Sequence, residues 1–192
     1  MCHNFSVKIH NLNYYQCANG RFHWLNKPMM SGQFRPWLQG VGSLTARLQQ
    51  RYADFAVQPV LVAYAKPLVD EAMPLKMASH HTALVREVML MGGAQVVVFA
   101  HSVLPRTCLR GAWNGLGGLG SKPLGATLFA NPQVKRTPLS YKKLSRHHLL
   151  YQHATQHLQD KPAYLWARRS VFSLKHASMM VTEVFLPQLF KM

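Results

Sequence analysis

Two charged residues stand where charge is costly. Arg86 interrupts the run Ala-Leu-Val-Arg-Glu-Val-Met-Leu-Met at 83–91, and Glu183 interrupts Met-Met-Val-Thr-Glu-Val-Phe-Leu-Pro at 179–187. Both runs are apolar and rich in residues that suit strands, so each charge must face solvent, meet a partner or serve a site. The plain reading puts both on the wet face of a half-exposed antiparallel sheet. The chemical reading puts them in one cavity. There a guanidinium fork would hold a carboxylate or phosphate, and a glutamate would accept a hydrogen bond or move a proton. Acids are scarce, six against 22 Lys and Arg, so a glutamate inside a strand is worth pursuing.

Other constellations are weaker. His147, His148, His153 and His157 crowd one segment, and the last two are four residues apart. That spacing suits zinc on a helix, but no carboxylate or cysteine completes the ligand set, and a polar helix exposing titratable side chains explains the segment. No metal site is expected. Gly115, Gly117, Gly118 and Gly120 lack the strand–loop–helix setting and the Lys-Ser/Thr ending of a phosphate loop, and read as a flexible turn. Thr107-Cys108 near His101 would need a third, orienting residue to make a nucleophile. Lys135-Arg136, 142–146 and Arg168-Arg169 are small basic concentrations without the interleaved aromatics of an RNA-binding sheet. They read as a solvated cationic face, with no nucleic-acid partner.

These residues need a scaffold. The 192 residues, 48% hydrophobic, suit one domain with a sizeable core. Residues 1–34 show no periodicity and read as an irregular arm before a domain at 35–192. Pro36 opens a helical apolar pattern at Leu38, Val41, Leu44 and Leu48. A strand at 55–65 carries Pro59 and so belongs at an edge; 67–77 reads as a loop. Strands at 83–91 and 95–104 flank Gly92-Gly93-Ala94 as a hairpin, stopped by Pro105. Thr107 would cap a short helix through Trp113. Short strands are expected at 125–129 and 134–144, a helix at 147–159, and a second hairpin at 164–175 and 178–186, turning at His176-Ala177. Strands joined by hairpins, with a few helices, give an α+β fold on an antiparallel sheet. Cys2, Cys17 and Cys108 show no CxxC spacing, the first residues lack an apolar leader, and the stretch 88–100 is too short to span a bilayer. A cytoplasmic protein is expected. Taken alone, its formal charge of +16 would suit nucleic acid, an anionic surface or an acidic small molecule; the dispersal of the basic residues sets nucleic acid aside.

Five blocks carry a family likeness: Val85-Arg86-Glu87-Val88, Ala100-His101-Ser102-Val103-Leu104-Pro105, the segment 120–129 with Pro123-Leu124-Gly125, Leu165-Trp166-Ala167-Arg168-Arg169-Ser170, and Thr182-Glu183-Val184-Phe185-Leu186-Pro187. In that order they resemble the bacterial chorismate lyases of ubiquinone biosynthesis. The resemblance implies a single domain in which helices and flap-like loops cover one side of an antiparallel sheet. It implies elimination of pyruvate from chorismate to leave 4-hydroxybenzoate, by a monomer without metal or organic cofactor. Carried over by position, Arg86 binds a carboxylate, Glu183 meets the ring hydroxyl region, and Leu44 and Leu124 supply apolar walls and main-chain contacts. At His101 the family commonly has a second arginine. Either His101 takes over an anion contact with the substrate, or another cation such as Arg168 compensates. Effector-binding domains of bacterial transcription regulators share the fold and bind without turnover. They follow a winged helix-turn-helix domain for which residues 1–80 lack room, and they need no acid at position 183, so the enzyme is the reading expected.

Overall fold

Side chains alternate across a strand, and this alternation organises the protein into two unlike faces. The computed structural model describes residues 23–191, apart from 79 and 110. Of the expected arm at 1–34, residues 1–22 therefore lie outside the described residues. Seven strands form one antiparallel sheet: β1 (Phe55–Ala65), β2 (Ala83–Gly92), β3 (Gln95–Pro105), β4 (Lys135–Arg136), β5 (Ser140–Ser145), β6 (Tyr164–Leu174) and β7 (Ala177–Phe185). Their order is β1-β2-β3-β7-β6-β4, with β5 also paired to β6. The α+β class read from the sequence is the one observed.

Local chemistry accounts for the strand ends. The β2–β3 hairpin turns through Gly93, whose φ of 62° is a left-handed value that suits a residue without Cβ. β1 is an outer strand, as Pro59 requires, and its register shifts between Pro59 and Leu61. The β6–β7 hairpin turns at Lys175-His176, one residue before the expected place.

Helices depart further from expectation. The pattern starting at Pro36 is two helices, α1 (Arg35–Gln39) and α2 (Leu44–Arg51), broken at 40–43. Gly42 there adopts a φ of 86°, and Val41 points into solvent at 90% exposure instead of continuing the apolar stripe. Ser43 restarts the helix, its Oγ accepting from the Ala46 amide at 3.3 Å. The loop expected at 67–77 contains a single turn, α3 (Val69–Ala72). The helix expected from Thr107 to Trp113 is shorter, α4 (Arg106–Leu109). The strand expected at 125–129 is a helix, α5 (Leu124–Ala130); Leu124 and Leu128, four apart, are its inward pair, and so short an apolar run does not distinguish the two periods. The strand expected at 134–144 is two pieces, β4 and β5, separated around Pro138. The polar segment at 147–159 gives α6 (Leu149–Thr155), capped by His148, whose Nδ1 accepts from the Leu150 amide at 3.2 Å. Burial pushes the His148 imidazole down to about 4, and nearby Lys142 adds to that, in keeping with an acceptor role.

Both faces of the sheet are covered. On the front, α1 and α2 bring Leu38, Leu44 and Leu48 onto Val88, Leu90 and Trp166, while Leu128 of α5 meets Leu84, Leu104 and Phe172. On the back, Leu150, Tyr151 and Ala154 of α6 pack on Phe99, Leu165, Ala167 and Val184. Trp24 joins this back cluster, and Leu25 makes a bridge to Tyr141. Among the described residues no helix is long and apolar enough to cross a membrane.

Candidate active site

A cleft lies between the front of the sheet and its helical cover. It holds about 630 Å³ of space outside protein atoms, part of it open to solvent. Arg86, Val88, Ala100, Ser102, Ser170, Phe172, Val181 and Glu183 form its floor, and Leu44, Thr45, Leu124, Gly125, Leu128 and Phe129 form its roof. The roof closes because two helix starts meet at Gly125. A Cβ there would stand 3.1 Å from Thr45 Oγ1 and 3.2 Å from Ser43 Oγ, so a larger residue would press α5 away from α2.

Arg86 is buried, with 6% of its surface exposed. Its Nη2 donates to the carbonyls of Gly120 at 2.9 Å and Lys122 at 3.2 Å, which ties the loop leading into α5 to the sheet. Its Nε is fully buried and, among the described residues, has no hydrogen-bond partner. Burial lowers the guanidinium pKa from its ordinary value. A buried donor without a partner is destabilising unless a ligand accepts from it.

Glu183 reaches the same cleft from β7. Its Oε2 accepts from Nε of Arg168 at 2.5 Å, across the β6–β7 pair where these residues stand directly opposite. Arg168 is fully buried, and its Nη1 reaches the carbonyls of Trp37 at 2.8 Å, Leu38 at 3.2 Å and Gly40 at 2.8 Å. One guanidinium thus fixes Glu183 and terminates α1. Arg168, the alternative to His101 as an anion contact, is not among the residues lining the cleft and is committed to Glu183 and the end of α1.

His101 is not brought to the cleft. Ala100 and Ser102 face front, so alternation turns His101 to the back. There its Nδ1 lies 2.9 Å from Glu87 Oε1, and its Nε2 lies 3.2 Å from Glu71 Oε1, an ion pair poorly aligned for a hydrogen bond. His153 of α6 also meets Glu87 Oε1, at 2.9 Å. Burial opposes the charge on His101, but Glu71 and Glu87 outweigh it and hold the imidazole up to about 10. Burial likewise disfavours the Glu87 carboxylate, and hydrogen bonds from His101 and His153 overcome this and bring it to about 2. The helical pair His153 and His157 is split: His153 serves Glu87, while His157 lies beyond α6 and is exposed.

Sequence reasoning missed Arg136. It sits on two-residue β4, donates from Nε to Ser170 Oγ at 2.8 Å, and lines the cleft. Nothing in Lys135-Arg136 separates it from a surface pair.

A family model described as Chorismate lyase matches residues 20–192. The chain belongs to the chorismate lyase family. It is 46% identical over 172 residues to a Methylobacillus flagellatus protein named "Probable chorismate pyruvate-lyase", covering 90% of this chain and 97% of that one. A Nitrosospira multiformis protein of the same name is 49% identical over 164 residues, covering 85% and 91%. Among solved structures, the effector domain of PhnF from Mycobacterium smegmatis is similar with a TM-score of 0.53 at 14% identity, over 78% of this chain and 91% of that one. A GntR family transcriptional regulator from Bacillus cereus gives 0.52 at 9%, over 72% and 96%. Identities this low speak to fold alone. Of the residues singled out by family likeness, the cleft gathers Arg86, Leu44, Leu124 and Glu183, and leaves out His101.

Proposed function

We propose that this chain eliminates pyruvate from chorismate and releases 4-hydroxybenzoate, the first committed step toward ubiquinone. Membership of the chorismate lyase family supports the reaction class. The observation that carries the site is the unpartnered Nε of Arg86 beside the cleft that Glu183 shares.

In this reading the ring carboxylate of the substrate accepts from Arg86, completing the donors that the protein leaves open. Leu44 and Leu124 hold the ring between apolar walls and offer main-chain contacts at the starts of α2 and α5. Glu183, held by Arg168, accepts a hydrogen bond from the ring hydroxyl. The ether bond from the ring to the enolpyruvyl oxygen then breaks. The hydrogen on the hydroxyl-bearing carbon passes to the enolpyruvyl methylene, and the electron pair of that C–H bond completes the aromatic ring. The products are 4-hydroxybenzoate and pyruvate, and all atoms are accounted for. Aromatisation drives the step, so the protein contributes orientation, exclusion of water and stabilisation of charge on the departing oxygen. The same reading takes the enzyme as a cytoplasmic monomer that uses no metal or organic cofactor.

The test is pyruvate release from chorismate by the purified protein, followed through lactate dehydrogenase, with 4-hydroxybenzoate identified by chromatography. Stoichiometric appearance of both supports the assignment. Binding of 4-hydroxybenzoate without pyruvate release would instead make the protein a binding domain of the same fold.

A further inference from the structure

The proposed substrate carries two carboxylates, and Arg86 meets one. We propose that Arg136 is the second anion anchor of the cleft and takes the enolpyruvyl carboxylate, an assignment that rests on the lyase reading. Among the described residues lining the cleft, Arg86 and Arg136 are the two cations. Other basic groups nearby are committed elsewhere. Arg168 is held by Glu183 and three carbonyls, Arg47 donates to the Pro36 carbonyl and lies over the Trp37 ring at 4.4 Å, and His101 faces the back.

Arg136 is built to present a guanidinium. Its Nε donates to Ser170 Oγ at 2.8 Å and its Nη1 reaches the Gly42 carbonyl at 3.5 Å. The group lies 5.2 Å from the Phe172 ring centroid and 5.6 Å from that of Phe129, within cation–π range of both. Among the described residues Nη2 has no hydrogen-bond partner, and no carboxylate lies within ion-pair distance. Arg136 and Glu183 line the same cleft; burial lowers the guanidinium pKa, the field of Glu183 raises it, and that of Arg168 lowers it. A half-buried guanidinium with a free edge beside a cleft is the arrangement that an anionic ligand completes. Its nearness to Glu183 also fits the substrate, because the enolpyruvyl ether and the ring hydroxyl sit on adjacent carbons.

The assignment separates substrate from product. 4-Hydroxybenzoate retains the ring carboxylate and the hydroxyl but has lost the second acid group. Arg136→Gln should therefore raise KM for chorismate about tenfold or more, while 4-hydroxybenzoate affinity by calorimetry changes by less than about twofold. Arg136→Lys should recover part of the loss, since it restores charge without the fork. Retained product binding in Arg136→Gln shows that the site is folded. Chorismate KM and product affinity weakening by the same factor, or neither changing, would overturn the anchor and leave Arg136 as a packing residue. Failure of the wild type to release pyruvate would overturn the lyase reading together with it.

Discussion

The two faces of the sheet treat buried charge in opposite ways. On the back, Glu71, His101, Glu87 and His153 form one chain of contacts, and Asp70 accepts from Trp24 Nε1 at 2.7 Å while pairing with Arg169 at 3.3 Å and Lys142 at 3.6 Å. Three cationic side chains meet three carboxylates there, counting His101 as charged, and His153 adds a further contact to Glu87. On the front, among the described residues, Arg86 keeps a buried donor without a partner, Arg136 has a free edge, and the one acid lining the cleft is already held by Arg168. Burial is similar, with His101 5% exposed and Arg86 6%. Charge pairing differs. On the back His101, Lys142 and Arg169 each face a carboxylate, although His101 Nε2 and Glu71 Oε1 meet without hydrogen-bond alignment, whereas among the described residues Arg86 and Arg136 face no carboxylate within ion-pair distance. Paired charges serve the fold, whereas unpaired donors stay ready for a ligand.

This contrast separates stability from activity. The largest effect is expected at Arg168, which is paired with Glu183 and three carbonyls although it lies on the front. Arg168→Ala leaves Glu183 without its cation and three carbonyls without a donor, and should cost about 3–5 kcal/mol in urea unfolding; an intact stability would show that charge pairing does not decide the matter. Next comes Glu87→Gln on the back. It removes the carboxylate shared by His101 and His153 and should cost about 2–3 kcal/mol, with turnover per folded molecule changed less than about twofold. Arg86→Ala should act mainly on the ligand. It should remove about 2 kcal/mol or more of substrate binding, and its stability cost should stay below that of Arg168→Ala, at about 1–2 kcal/mol for the two carbonyl contacts it loses.

A smaller effect follows from pH. His101 binds its proton more tightly in the folded protein than its ordinary value of 6.5, reaching about 10. Its stabilising contribution is thus complete below pH 6.5 and declines as pH rises through 10. Glu87 acts at the other end: its contribution is present above 4.5 and is lost as pH falls toward 2. Melting temperature should therefore decline between pH 6.5 and 10 in the wild type and decline less in His101→Gln. Equal slopes would remove His101 from the back network.

The strands were largely legible because alternation, β-branched residues and turn glycines all act over a few positions. Arg86 and Glu183 stood out for the same reason: each is a charge inside an apolar run. What escaped depends on contacts far apart in sequence. α5 looked like a strand because five apolar-rich residues fit either period, and its helix is settled by packing of Leu128 on Phe172 and Leu104. Position 101 was assigned to the cleft from family likeness, although strand parity relative to Arg86 carries the answer: β2 and β3 pair Arg86 with Ser102, so the neighbour of Ser102 must face away. Arg136 was invisible because its setting is made by Ser170, Gly42 and two phenylalanines from three other segments.

The most direct test compares pyruvate release from chorismate by the wild type and by Arg86→Ala, both shown to be folded by thermal melting. The account predicts turnover by the wild type and a drop in kcat/KM of about thirtyfold or more in the variant. Equal rates in the two proteins, or no pyruvate from the wild type, would contradict it.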